Sequence, residues 1–192
     1  IHNGIDGNKF SANNKFRINF RNKFKIDKEV KVLLCVGRRD PMKDHNTLLE
    51  AFKRIKKIYP STILLLAGIG TKDIKENNGI IALGSCEDIH HVYSASDIII
   101  SSSAFGEGFS NALAEGMSSS LIPIATKVGD SNYIIGDVGK AVEPRNVKEL
   151  YEAIKEILKL DEVIFSHKRI LSKKRITENF AKSKMLKEYN KV

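Results

Sequence analysis

Val30-Lys-Val-Leu-Leu-Cys-Val-Gly-Arg-Arg-Asp-Pro-Met-Lys-Asp-His-Asn-Thr-Leu-Leu-Glu-Ala-Phe-Lys-Arg-Ile-Lys-Lys-Ile58 is a strand, a loop and a helix written in order. Val30 to Val36 is a β-branched and Leu-rich run that stops at Gly37, which reads as a buried strand of a parallel sheet. From Asn46 to Ile58 the apolar residues Leu48, Leu49, Phe52 and Ile55 recur at helical spacing, and Pro60 ends that helix. A short loop joining a buried strand to an amphipathic helix is the repeating half-step of an α/β sheet.

The same step recurs along the chain. Thr62 to Ala67 reads as a second strand closed by Gly68-Ile-Gly70, Ile80 to Leu83 as a third, and Asp97 to Ile100 as a fourth after a short helix over Glu87 to Ala95. A helix from Ser110, strands at Leu121 to Ala125 and Lys140 to Val142, and a helix over Val147 to Leu158 follow. This alternation predicts an α/β fold with a doubly wound parallel sheet and helices on both faces. Upstream, Phe16, Phe20 and Phe24 fall four apart, one stripe of an amphipathic helix that something must cover. Downstream, about 161–189 reads as helical and strongly charged. There is no internal repeat and no low-complexity linker.

Composition narrows the class. The chain has 192 residues, 42% of them hydrophobic, enough for a real core. No apolar run approaches the roughly 18 residues that span a bilayer, and the start, Ile1-His-Asn-Gly, is no signal sequence, so the chain is expected to be soluble and cut from something longer. Cys35 and Cys86 show no metal-ligand or CxxC spacing and read as reduced thiols. The net charge of +9 sits at the ends: residues 1–31 hold eight Lys/Arg against three acids, and residues 167–192 hold nine against two. A basic core face and stacking aromatics are both missing, which argues against nucleic acid as a partner. The basic ends read as solvated faces, or as surfaces for a membrane or an anionic acceptor.

In open sheets of this kind, ligands sit outside the carboxyl ends of the strands, where the loops bearing Gly37, Gly68 to Gly70, Gly84, and Gly106 to Gly108 fall. Two of these carry chemistry. In Phe105-Gly-Glu-Gly-Phe-Ser-Asn-Ala-Leu-Ala-Glu-Gly116, Gly106 and Gly108 flank Glu107, and Ser110 offers an N-cap hydroxyl to the helix that follows. The free N–H groups and positive dipole end of that helix face whatever lies before Gly108 to Asn111, and a phosphate is the natural ligand. Glu115, one turn inside, can accept hydrogen bonds from a vicinal diol such as a ribose, while Glu107 stays in the loop, free to reach a second hydroxyl-bearing group. In Gly37-Arg-Arg-Asp-Pro-Met-Lys-Asp-His45, Arg38 can fork two donors onto a phosphate and Lys43 adds a mobile point charge.

Four features in order resemble the C-terminal domain of family-4 retaining glycosyltransferases of the GT-B fold: Gly-Arg-x4-Lys at 37–43, Leu66-Ala-Gly-Ile-Gly-Thr71, Ala95-Ser-Asp-Ile-Ile-Ile-Ser-Ser-Ser103, and the Glu107 to Glu115 pair spaced E-x7-E. His2-Asn-Gly-Ile-Asp6 is similar to the segment by which such chains pass into their second Rossmann-like domain. The resemblance covers about residues 1–160, implying a nucleotide-sugar-binding domain there, a basic helical segment over 161–192, and an N-terminal acceptor domain that lies outside this chain. It implies that Arg38 and Lys43 bind the donor diphosphate, aided by backbone N–H groups of Gly108, Phe109, Ser110, Asn111, Ala112 and Leu113. Glu115 would hold the ribose, and Glu107 would contact the donor sugar as stabiliser or nucleophile. Gly37 belongs to the phosphate loop. Gly84, Cys86 and Ile89 would meet the base, partly through backbone groups.

The resemblance further implies transfer of a hexose-type sugar to a cell-surface glycan or a lipid-linked acceptor. It implies no cofactor and no metal, with the site cytoplasmic or at the inner face of the cytoplasmic membrane, where the basic tail residues Lys168, Arg169, Lys173, Lys174 and Arg175 would dock on the first domain or on anionic lipid. The chain departs from the pattern at Lys43-Asp-His45, where Lys-Gly is common, and at Val128-Gly-Asp-Ser-Asn132, where Gly-Gly then Glu is common. No Asp-x-Asp occurs. Alternatives of other classes are an inactive nucleotide-sugar-binding module or subunit, and a phosphorylase or epimerase on the same fold.

Overall fold

A computed structural model describes residues 2–190. Six strands form one all-parallel sheet: β1 (Val32–Val36), β2 (Ile63–Ala67), β3 (Ile80–Gly84), β4 (Ile98–Ser101), β5 (Ile122–Thr126) and β6 (Lys140–Val142). Their order is β3-β2-β1-β4-β5-β6. The order reverses between β1 and β4, and this topological switch point opens a crevice at the carboxyl edge of the sheet. Eight α-helices accompany the strands in the described residues: α1 (Asn14–Lys23), α2 (His45–Ile58), α3 (Ile89–Ala95), α4 (Asn111–Ser118), α5 (Ser131–Ile135), α6 (Val147–Leu158), α7 (Glu162–Asn179) and α8 (Lys182–Tyr189). The expected doubly wound α/β architecture is present, and α5 is an addition, a five-residue helix in a stretch that reads as loop.

Side chains alternate along each strand between two cores. Leu33 and Cys35 of β1, with Ile98 and Ile100 of β4, pack against Leu48, Phe52 and Ile55 of α2 and Leu150, Ile154 and Ile157 of α6. Leu34, Leu65 and Ile99 face the other way, onto Tyr93 of α3, Leu113 and Met117 of α4, and Ile134 of α5. Each fully buried Leu or Ile contributes about 1.5–3 kcal/mol by leaving water. α7 joins both layers: Phe165 near its start lies in the first core, Ile176 near its end in the second. The opening segment is tied to the junction of α7 and α8, since Ile5 N–H donates to the Phe180 carbonyl and the Ile5 carbonyl accepts from Lys182 N–H.

The phenylalanine stripe of α1 is covered by α3, where Phe16 packs on the His91 ring at 3.9 Å and on His90 at 5.3 Å. Phe20 and Phe24 stack on one another at 4.5 Å. The residue α1 buries most deeply is nevertheless Arg21. It reaches Asp97, which stands just before β4 and accepts from Arg17, Arg21 and Arg169 and from Val32 N–H. Part of each basic end is therefore an internal fastener. Lys168 donates to the Val138 carbonyl, Arg169 to the Ser120 carbonyl, Lys173 to the Ser11 hydroxyl and Arg175 to the Ile134 carbonyl. The tail cations expected to be available for docking are spent on this domain, with Lys174 the exception, beside Glu178.

Candidate functional site

The loops after β1 and β4 meet at the switch-point crevice. Ala104 N–H donates to the Met42 carbonyl at 2.7 Å and the Ser102 hydroxyl donates to the Lys43 carbonyl at 2.8 Å, so the exit of β4 is stitched to the cation loop. Gly37 leaves room for the Lys43 stem, whose Cδ would lie 3.1 Å from an added Cβ. Gly68, at φ +140°, allows the loop after β2 to lie against Gly37; a Cβ there would fall 2.2 Å from the Gly37 carbonyl oxygen.

This stitching brings the Lys43 ammonium into contact with the Glu107 carboxylate, where the Ser103 hydroxyl also donates to the same oxygen, Oε1. Glu107 is 9% exposed, so it is not the free loop carboxylate expected from its flanking glycines: one oxygen is fixed, and Oε2 finds no donor among the described residues. Gly106 sits at φ +73° over Met42. Beneath the loop, Gly129 at φ +55° presses on the Glu107 carbonyl, 2.3 Å from where a Cβ would stand, and Asp130 N–H donates to the Gly108 carbonyl. The Val128 to Asn132 segment thus supports the glutamate loop through its backbone. Arg38 is 62% exposed and, among the described residues, bound only to Asp40, through Nε at 3.3 Å.

Asp44 explains the missing Lys-Gly. It occupies the left-handed position a glycine would take, at φ 43°, and caps α2 by accepting from both the Thr47 N–H and its hydroxyl. His45, first in α2, is buried with neither ring nitrogen partnered, and burial followed by the nearby Arg39 and Lys43 charges holds its pKa below the ordinary value. An open cleft of about 890 Å³ lies beside this loop, lined by Arg39, Asp44, His45 and Arg145 and by neither glutamate.

Helix α4 begins at Asn111, and Ser110 occupies its N-cap position without capping it. The Ser110 side chain turns inward, 5% exposed, so the expected hydroxyl cap is absent. No backbone N–H from Gly108 to Leu113 finds an acceptor among the described residues. Six donors at and just before the positive end of a helix dipole are left without a protein acceptor among the described residues. Glu115 lies inside α4 and accepts from the Tyr93 hydroxyl at 3.0 Å. Burial raises its pKa against the Tyr93 bond and the Lys9 charge. Cys86, Ile89 and Phe109 are half-buried against one shared apolar cluster. Gly84 takes φ +73° at the end of β3. Burial pushes the Cys35 thiol up to about 12 and also raises Cys86, so neither is a ready nucleophile. Lys43 and Glu107 meet, α4 begins just beyond Glu107 in the same loop, Arg38 shares the cation loop with Lys43 but contacts Asp40, Glu115 stands further along α4, and the Gly84 to Ile89 loop follows β3 at the same edge of the sheet.

The glycosyl transferases group 1 profile matches residues 16–175. The chain belongs to this family. It is 26% identical over 186 residues to the trehalose synthase of Pyrococcus horikoshii, covering 87% of this chain and 44% of that protein. A glycosyltransferase from Rickettsia africae superposes over the whole chain with a TM-score of 0.88 at 24% identity, 55% of its own length being covered. The C-terminal domain of a group 1 glycosyl transferase from Francisella tularensis, LpcC, matches at a TM-score of 0.80 and 23% identity, with 93% of this chain and all of that domain covered. Anabaena Alr3699/HepE, solved in complex with UDP and glucose, superposes at 0.87 and 19% identity, over all of this chain and 55% of its own. The chain spans about half the length of the full-length relatives it matches.

Proposed function

We propose that the chain is the donor-binding half of a retaining, family-4 nucleotide-sugar glycosyltransferase. The observation that carries this reading is the meeting of Lys43 and Glu107 at the switch point, in the loop that leads into the uncapped α4 terminus, with an exposed Arg38 on the same loop as Lys43. A nucleoside diphosphate sugar presents, in order, a ribose, two phosphates and a hydroxylated ring, and the edge offers a matching series. Glu115 takes the ribose, the N–H groups of Gly108 to Leu113 with Arg38 and Lys43 take the diphosphate, and Glu107 Oε2 accepts from the sugar. The base rests along Gly84, Cys86 and Ile89. As the glycosidic bond breaks, negative charge grows on the leaving diphosphate, and these fixed donors stabilise it without reorganising. Cations thereby do the work a metal would otherwise do, and the acceptor attacks from the face the diphosphate leaves. The UDP and glucose bound by the HepE protein support a nucleotide-sugar ligand for this fold.

Residues 1–160 form the nucleotide-sugar-binding unit in this reading, and 161–192 brace it. An N-terminal domain supplies the acceptor site, and without it the chain binds donor and does not turn it over. A cell-surface glycan or lipid-linked acceptor, a hexose donor and a cytoplasmic location follow from the family resemblance, with a lipopolysaccharide-pathway neighbour of similar fold in support. Calorimetric titration with UDP, GDP and ADP sugars tests the core of the proposal. One of them should bind, and Arg38→Ala and Lys43→Ala should each weaken it about 10–100-fold, the worth of a hydrogen bond to a charged group. Failure of all three at millimolar concentration, or unchanged affinity in both variants, overturns it.

A further inference from the structure

The two oxygens of Glu115 are not equivalent. Oε2 accepts from the Tyr93 hydroxyl at 3.0 Å, and Oε1 has no donor among the described residues. The carboxylate lines a cavity of about 280 Å³ with Asn3, Asp6, Asn111 and Lys182. Tyr93 has 0% exposure, and its ring meets Phe10 edge-on at 5.9 Å, so it cannot swing away. Its hydroxyl also lies 3.2 Å from the Ala112 carbonyl in the first turn of α4. A phenylalanine would fill the same space without burying a polar atom, yet here a buried hydroxyl aims its single proton at a carboxylate.

We infer that Tyr93 is a positioning residue for donor binding, holding Glu115 so that Oε1 meets the ribose diol of a nucleoside diphosphate. Tyr93 sits on α3, which starts directly after the Gly84 to Asp88 loop, so the same bond locks the base loop and the ribose acceptor into one unit. This inference rests on the proposed donor site. Its test separates the two.

The chain is titrated with UDP, GDP and ADP, with their 2′,3′-dideoxy counterparts, and with inorganic pyrophosphate, in wild type, Tyr93→Phe and Glu115→Gln. Tyr93→Phe should weaken the ribonucleotide that binds by about tenfold, leaving its dideoxy form and pyrophosphate unchanged, so that the preference for ribose shrinks. Glu115→Gln should lose that preference as well. If Tyr93→Phe keeps the full preference while Glu115→Gln loses it, the ribose site stands and the role of Tyr93 is overturned. Equal weakening of pyrophosphate by Tyr93→Phe also overturns it, since that marks a merely structural part. If Glu115→Gln keeps the preference, the ribose reading falls and this inference with it.

Discussion

Strand β4 carries a carboxylate at each end, and the two have opposite circumstances. Asp97, just before the strand, is 2% exposed, and both its oxygens are occupied: Oδ1 by Arg17 and Arg169, Oδ2 by Arg21 and Val32 N–H. Glu107, after the strand, has a lysine and a serine on one oxygen and leaves the other open. A carboxylate with every lone pair answered is a fastener, and one left half-answered at the carboxyl edge of a parallel sheet is a group waiting for a ligand. The arginines on Asp97 come from α1 and α7, so this single acid clips both ends of the chain to the sheet.

The strongest way to break the contrast is Asp97→Asn. It leaves Arg21, buried, facing a neutral amide, and removing one partner of a buried ion pair costs about 3–5 kcal/mol. Urea unfolding should show that loss, with donor affinity unchanged in the protein that remains folded. A loss below about 1 kcal/mol would mean the arginines find other partners and Asp97 is no fastener.

Asp97 also shows what the sequence leaves illegible. The strands announce themselves through local apolar runs, Val32 to Val36 and Ile98 to Ser101 among them, and the glycines and cations of the crevice through local spacing. An ion cluster joining positions 17, 21, 97 and 169 has no local signal, and its arginines read as solvated charge. The same limit hid the Lys43 contact of Glu107, made by tertiary stitching between two loops, and the inward turn of Ser110. Asp44 was legible only as a departure from Lys-Gly, because an aspartate that both takes a left-handed backbone and caps a helix satisfies two rules at once. Tyr93 carries no local signal: by ring it is core, and its hydroxyl is what touches Glu115.

Glu107→Gln sharpens the other side of the comparison. The amide keeps the shape and the Ser103 bond, and only one cation loses its partner where Asp97 answers three arginines, so the loss of stability should be smaller than for Asp97→Asn. Lys43, released from its carboxylate, should bind a nucleoside diphosphate at least as well as before. The sugar, however, loses its charged acceptor, so the gain in affinity from nucleotide to nucleotide sugar should drop about tenfold. Parallel titrations with both ligands check this. An unchanged gain would show that Glu107 serves Lys43 alone and is a fastener like Asp97.

Glu115 offers the finest test, through pH. Burial raises its pKa above the ordinary 4.5, so from that value upward to the raised one the folded protein holds more of this proton than the unfolded chain does. The glutamate's contribution to stability is then fully present below pH 4.5 and is lost as pH rises through the folded value. Glu115→Gln cannot lose a proton, so its stability should rise relative to wild type across the same window, read by thermal melts at successive pH values. Donor binding must run the other way, because a ribose needs the carboxylate as acceptor: wild-type affinity should fall as pH drops into that window, and the Gln variant, already weak, should stay flat. A wild-type affinity that ignores this window would place Glu115 with Asp97, among the acids that hold the fold and touch no ligand.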